Sequence, residues 1–292
     1  MDVETIAARV WPGRRVEIEP LGGGITNRNF RVDCEGRAYV LRIGGKDTEV
    51  LGIDRRAEFQ AASVAASLGV GPEVVAFVEP EGYLVTRFVE GAPAPPEEIR
   101  RPHVLREVAE LLRRVHEGPV IPARFDAFRV VEAYRASAIA YGVEVPAAYD
   151  RGKATADRIE AALGGHAAVP CHNDLLNANF IRSPEGIRIV DWEYAGMGDR
   201  FFDLANFAVN HDLGEEGESA LLEAYFGEAR AGDAAQLHVL RFMSDFREAM
   251  WGVLQQGISE LDFDFVDYAA QHFARLERTA ESEVFRAALE AA

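Results

Sequence analysis

One break in composition divides this chain into two unlike stretches, and that division limits its possible folds more than any other feature. Gly91-Ala92-Pro93-Ala94-Pro95-Pro96 is too rich in proline to sit inside a helix or a central strand. Before it, residues 29–32 and 38–43 are short β-rich runs on either side of Cys34-Glu35-Gly36, a hairpin signal with glycine in the turn. Residues 55–68 carry Ala57, Ala61, Val64, Ala65 and Leu68 along one helical stripe, with Asp54 placed to cap it and Gly69 to stop it. Residues 74–78 and 83–89 read as two more strands around the turn sequence Glu79-Pro80-Glu81-Gly82. After the break, helical spacing dominates, over 97–116, 126–141, 146–163, 237–256 and 265–278. The exception is a pair of short β-like runs, 179–182 and 186–190. The pattern predicts an α+β chain of two units: residues 1–91, a small antiparallel β lobe with one helix, and residues 92–292, a larger and mainly helical lobe.

The chain has 292 residues, 48% of them hydrophobic, which is enough to bury a substantial core. Its formal net charge of −17 leaves no basic face for wrapping nucleic acid or lying on an anionic membrane. That charge is compatible with a phosphorylated nucleotide handled through a metal ion and a few local donors, and it favours a small cationic partner. Met1-Asp2-Val3-Glu4-Thr5 carries acid where a secretory leader carries Lys or Arg, and no run of 18 apolar residues occurs, so a cytoplasmic location without membrane attachment is expected. Cys34 and Cys171 lie too far apart in sequence to signal a disulfide framework or a zinc cluster.

The segment that carries chemistry is Cys171-His172-Asn173-Asp174-Leu175-Leu176-Asn177-Ala178-Asn179-Phe180, followed by Asp191-Trp192-Glu193. Phosphoryl transfer to a hydroxyl needs a carboxylate at the attacking oxygen, oxygen ligands for Mg²⁺ and donors over the phosphates. Taken singly, an Asn or Asp near a strand end is more often a cap or a turn. As a set, His-x-Asp-x-x-x-x-Asn before an apolar run ending in Asp has the order of a kinase catalytic loop. A hairpin places Asn179 and Asp191 across from each other, an amide oxygen and a carboxylate facing one metal. Two residues before the base, His172 is read as ordering the loop by hydrogen bonds more readily than as a proton shuttle. Upstream, Gly22-Gly23-Gly24-Ile25-Thr26-Asn27 is a glycine-rich turn in which Gly23 and Gly24 let amides approach phosphates while Thr26 and Asn27 add side-chain donors. Arg42, between apolar neighbours on a strand, offers a cation to the phosphates, with Glu58 on the following helix as its partner. The strand holding Arg87 and Phe88 precedes the break and is placed to meet the adenine edge with its backbone.

These segments, together with Tyr39-Val40-Leu41-Arg42-Ile43 and Val190-Asp191-Trp192-Glu193-Tyr194-Ala195-Gly196, resemble the choline/ethanolamine kinase family, within the wider group of aminoglycoside phosphotransferase-like kinases. The resemblance runs from about Leu21 to Phe273 and implies a two-lobed protein-kinase-like fold with ATP and Mg²⁺ as cofactors. It implies Asp174 as the base, Asn179 and Asp191 as metal ligands, and Arg42 with Glu58 at the ATP phosphates. For the acceptor it implies an aromatic cage with Tyr194, Trp251 and Tyr268 at cage positions, beside Glu193 and Glu248, holding a quaternary ammonium by cation–π attraction. Glu248 replaces a second Trp usual in eukaryotic choline kinases, and Asn210 stands where those enzymes often carry an acid. Glu248 and Trp251 share a helical face, and a carboxylate there also suits a primary or secondary ammonium that donates hydrogen bonds. The expected activity is phosphorylation of a cationic amino alcohol such as choline or ethanolamine. A kinase for an aminoglycoside, thiamine or another cationic metabolite is the alternative, ahead of a nucleotide-binding protein without catalysis. Six acids between residues 244 and 267 (Asp245, Glu248, Glu260, Asp262, Asp264, Asp267), against one Arg, put part of the charge excess beside the acceptor end.

Overall fold

Two adjacent residues of left-handed backbone, Glu35 (φ 50°) and Gly36 (φ 76°), form the tight turn that starts the first lobe. A two-residue turn with both φ values positive matches the twist of the strands it joins. The strands are β2 (Asn27–Cys34) and β3 (Arg37–Gly44), paired antiparallel from Cys34↔Arg37 to Asn27↔Gly44. The computed structural model describes residues 2–22, 27–46, 48–165 and 167–292, so Gly23, Gly24 and Thr26 of the glycine-rich turn lie outside the described residues. The sheet is completed by β1 (Val16–Leu21), β4 (Val74–Val78) and β5 (Tyr83–Arg87) in the order β1-β2-β3-β5-β4, every neighbour antiparallel.

Alternation along β3 sends Tyr39, Leu41 and Ile43 to one face and Arg42 to the other. On the first face, helix α1 (Val3–Val10) packs Ile6 and Ala7 against them, and Trp11, Val32, Cys34 and Val85 close a small core. Helix α2 (Arg55–Ser67) is capped as the sequence predicts: the Asp54 carboxylate accepts from the amides of Arg56 and Ala57 at 2.8 and 3.0 Å. Its buried alanines 61, 62 and 65 belong to a second, larger core shared with the rest of the chain.

From Ala92 the chain changes company. Strand β6 (Ala92–Pro93) pairs with β8 (Phe180–Ser183), which forms a hairpin with β9 (Gly186–Ile189). The helical stretch 97–116 is two helices, α3 (Pro96–Ile99) and α4 (Pro102–His116). Pro102 has no amide hydrogen to continue a helix and instead begins one. There follow α5 (Ala127–Ala140) and α6 (Ala148–Leu163), then β7 (Val169–Cys171), paired with β10 (Gly196–Gly198). The last helices are α7 (Arg200–Asn210), α8 (Glu215–Phe226), α9 (Ala231–Ile258), α10 (Phe265–Glu281) and α11 (Glu283–Ala291).

Helix α9 runs through the middle of this lobe against α5, α7, α10 and α11, and every residue from Phe242 to Gln255 is buried. A helix buried on all sides must find internal partners for its polar side chains. Its buried polar residues therefore point to specific contacts, several of them in the site below. No helix among the described residues is long and apolar enough to cross a membrane.

Candidate active site

The loop between β7 and β8 is held from beneath by α7. Asp203 accepts the backbone amides of His172 and Asn173 at 2.8 and 2.6 Å, and Asn206, one turn on, accepts that of Leu175 at 2.6 Å. Asn206 is itself steadied by Ser244 of α9 at 3.0 Å. Asn210, the last residue of α7, donates to the Leu175 carbonyl. The His172 ring bridges the loop and the returning strand: Nδ1 accepts the amide of Asp174 at 3.2 Å, and Nε2 lies 3.0 Å from the Val190 carbonyl. That pairing requires a neutral ring protonated on Nε2, and burial lowers its pKa in agreement. These two bonds tie the loop to the returning strand.

Two residues of the site hold a backbone that non-glycine residues rarely adopt, Asn173 at φ 66° and Asp191 at φ 69°. Asp174, immediately after the first, points its carboxylate at Arg247 of α9, with Oδ1 and Nη1 3.0 Å apart. Burial pushes its pKa up to about 7; repulsion from Glu248 and Asp191 adds to this and Arg247 opposes it. The amide nitrogen of Asn179 donates to the Asp174 carbonyl at 2.8 Å, which leaves Oδ1 as its remaining polar atom. The Val190 amide donates to the Asn179 carbonyl at 3.0 Å, so the hairpin brings Asn179 and Asp191 to the same end.

Facing this end from the sheet is a closed polar network. Arg42 Nη1 donates to Asp191 Oδ1 at 2.5 Å and to Glu58 Oε1 at 2.8 Å. Arg55 donates to Glu58 Oε2 at 2.8 Å, to Glu193 Oε2 at 3.0 Å and to Asn27 Oδ1 at 2.8 Å. Asn27 closes the ring on Glu193 at 2.7 Å. Burial and the neighbouring Asp191 raise the Glu193 pKa to about 7, against the pull of Arg42. Glu193 thus lies with Asn27 and Arg55 rather than with the aromatic cluster. Arg87 pairs with Glu73 and stacks on Tyr39, and Phe88 lies under Arg31, so neither joins the network.

The aromatic cluster assembles on the other side of Asp174. Trp251 Nε1 donates to the Tyr194 hydroxyl at 3.1 Å, and its ring meets Tyr268 edge-on at 5.6 Å. The Tyr268 hydroxyl donates to Glu248 Oε2 at 2.7 Å. Glu248 Oε1 accepts from the same Arg247 nitrogen that binds Asp174. Burial alone would raise the pKa of Glu248, but Arg247, His272 and Tyr268 outweigh it and hold the carboxyl below its ordinary value. Arg247 also stands over the Tyr194 ring, its Cζ 4.3 Å from the centroid.

Two members of these clusters were not read from the sequence as site residues. Arg55 stands three positions before Glu58 at the start of a helix, a spacing that already signals an ion pair. Arg247 gave a fainter signal: an Arg-Glu pair inside an otherwise apolar stretch of helix.

Asp191 and the free oxygen of Asn179 are hard oxygen donors of the kind Mg²⁺ takes, and Arg42 puts a positive charge beside them. Residues 17–242 match the phosphotransferase enzyme family. The fold superposes on the crystal structure of a choline/ethanolamine kinase family protein from Mesorhizobium loti with a TM-score of 0.84, at 33% identity and with 99% and 97% of the two chains covered. It also superposes on the choline kinase LicA of Streptococcus pneumoniae with a TM-score of 0.80, at 24% identity over 94% of this chain and 98% of that one. In sequence it is 27% identical to ethanolamine kinase 2 of Rattus norvegicus over 90% of this chain and 76% of the other. With the family match spanning most of the chain and these relatives beside it, the chain belongs to the phosphotransferase enzyme family, among its choline/ethanolamine kinase-like members.

Proposed function

We propose that this protein transfers the γ-phosphoryl group of ATP to the hydroxyl of a small cationic amino alcohol such as choline or ethanolamine. The observation that carries the reading is the position of Asp174. It lies between the oxygen donors Asn179 and Asp191 and, through Arg247, the cluster of Glu248, Tyr194, Trp251 and Tyr268.

In the proposed reaction Asp174 takes the hydrogen bond of the acceptor hydroxyl and aims its oxygen at the γ-phosphorus. The new O–P bond forms as the bond from phosphorus to the β-phosphate oxygen breaks, the hydroxyl proton passes to Asp174, and ADP leaves. Asn179 and Asp191 would hold Mg²⁺, which would supply positive charge to offset that building on the phosphates during transfer. Arg42, kept in place by Glu58, exchanges its bond to Asp191 for phosphate oxygens. The acceptor's ammonium end rests among Glu248, Trp251 and Tyr268, with Arg247 shared between the Glu248 and Asp174 carboxylates. A nucleotide seat agrees with the solved complex of LicA with AMP, whose fold this chain shares.

The test is direct. Purified protein incubated with Mg·ATP and a panel of amino alcohols should release ADP and form the phosphomonoester of at least one. Asp174→Asn should lower kcat by at least about a hundredfold while nucleotide still raises Tm. No phosphoryl transfer to any amino alcohol, or full activity in Asp174→Asn, would rule the reading out.

A further inference from the structure

We propose that Arg247 is a specificity-determining residue of the acceptor site, one that selects alcohols bearing a primary or secondary ammonium over trimethylated ones. The inference rests on the amino-alcohol kinase reading above and concerns which ammonium that site accepts.

A quaternary ammonium has no N–H to donate, so a protein holds it chiefly against the faces of aromatic rings. In this chain one face of the Tyr194 ring is already taken by a cation. The Arg247 guanidinium lies over it at 4.3 Å, and Arg247 is buried to the point that its side chain is 2% exposed. The Tyr194 hydroxyl accepts from Trp251 Nε1 at 3.1 Å. Trp251 in turn is met edge-on by Tyr268 at 5.6 Å and by Phe265 at 5.8 Å. A second cation brought to the Tyr194 face would meet the first at close range and in a site shielded from water.

What the cluster offers instead is a carboxylate. Glu248 is buried and accepts from Tyr268 and Arg247, and such an oxygen rewards a ligand that donates hydrogen bonds. Three methyl groups would cover the same carboxylate without adding to the two donors it already has. Asp174 and Glu248 accept from one nitrogen of Arg247, so the two carboxylates stand within two hydrogen-bond lengths of each other. A hydroxyl and an ammonium on neighbouring carbons are close enough together for one molecule to donate to both carboxylates. Arg247 therefore sets the interval between the group that receives the hydroxyl and the group that receives the nitrogen. Its own Nε and Nη2 have no acceptor among the described residues, so its hydrogen bonds run to the site's carboxylates through Nη1.

The experiment measures kcat and KM separately for ethanolamine and its mono-, di- and trimethyl derivatives, in the wild type, R247M and R247K. The wild type should lose kcat/KM along the series, with choline at least about tenfold below ethanolamine. R247M, which uncovers the Tyr194 face, should raise the choline-to-ethanolamine ratio by at least about tenfold, mainly through KM for choline. R247K keeps the charge and should stay close to the wild-type ratio. A wild type that prefers choline overturns the inference. So does an R247M protein in which both alcohols lose kcat equally and the ratio is unchanged, the behaviour of a merely structural residue. If R247M does not fold, the wild-type methylation series and R247K decide the matter. Absence of turnover with every alcohol in the series defeats the kinase reading itself, a result distinct from turnover without selectivity.

Discussion

Asp203 holds Asn173 by its backbone amide at 2.6 Å, and Asn173 is the residue whose φ of 66° turns the chain so that Asp174 faces Arg247. A buried carboxylate on α7 thus maintains a strained loop residue next to the proposed base. It does so while also accepting from His172 at 2.8 Å and lying 3.0 Å from His116 Nε2.

Asp203→Asn should therefore harm activity more than its conservative shape suggests. The amide can accept on only one side, so one of the two charge-assisted bonds to the loop becomes a clash of donors. A stability loss of about 2 kcal/mol is expected from urea unfolding. The kcat should fall by at least about tenfold with a smaller change in KM for ATP, because the loop and not the nucleotide seat is disturbed.

Glu58 is the hub between Arg42 and Arg55, and its side chain is 2% exposed. Glu58→Ala leaves two half-buried guanidinium groups short of a partner, at a cost of about 2 kcal/mol in chemical unfolding. Arg42 should lose its fixed position with it. KM for ATP is then expected to rise roughly tenfold, the equivalent of about 1.4 kcal/mol, in steady-state assays with saturating acceptor.

His211, at the end of α7, lies between Phe180 and Phe207 with ring centroids 5.2 and 4.2 Å away, and its Nδ1 bonds to the Phe207 carbonyl at 2.8 Å. Burial lowers its pKa from 6.5 to about 4. Between those values the unfolded chain binds more protons than the native one, so stability rises with pH across that window. The contribution is complete above the unfolded value and is lost as pH falls toward the folded one. Moving from pH 7 to pH 5 should cost about 2 kcal/mol in urea unfolding through this residue. His211→Gln should flatten that part of the profile.

Local pattern carried the reading of the sequence furthest. The Glu35-Gly36 turn and the Asp54 cap are each contained within a few residues, and both lie as the sequence implied, whereas Asn179, expected to begin a strand, ends a short 3₁₀ turn just before the strand at Phe180. Strand β1 and helix α1 escaped notice. Pro20 in Val16–Leu21 argues against a central strand but is harmless where β1 occupies the sheet edge. The site was legible where its chemistry repeats a linear order and obscure where it depends on distant pairing. Arg247 meets Asp174 across 73 residues, and Glu193 turns to Asn27 across 166. No periodicity encodes either partnership, since both arise from the way the sheet and α9 close on the loop.

The two cores described above do not divide the molecule where the strands and helices do. Helix α1 and strands β2 and β3 share one small cluster, while α2 contributes its alanines to the larger one. Amide hydrogen exchange should follow the cores: the backbone of α1, β2 and β3 should exchange as one early unit, and that of α2 should exchange later, with the helical lobe. Each opening of the sheet then separates Arg42 from Glu58, two halves of one ion pair anchored in bodies that melt apart at different free energies.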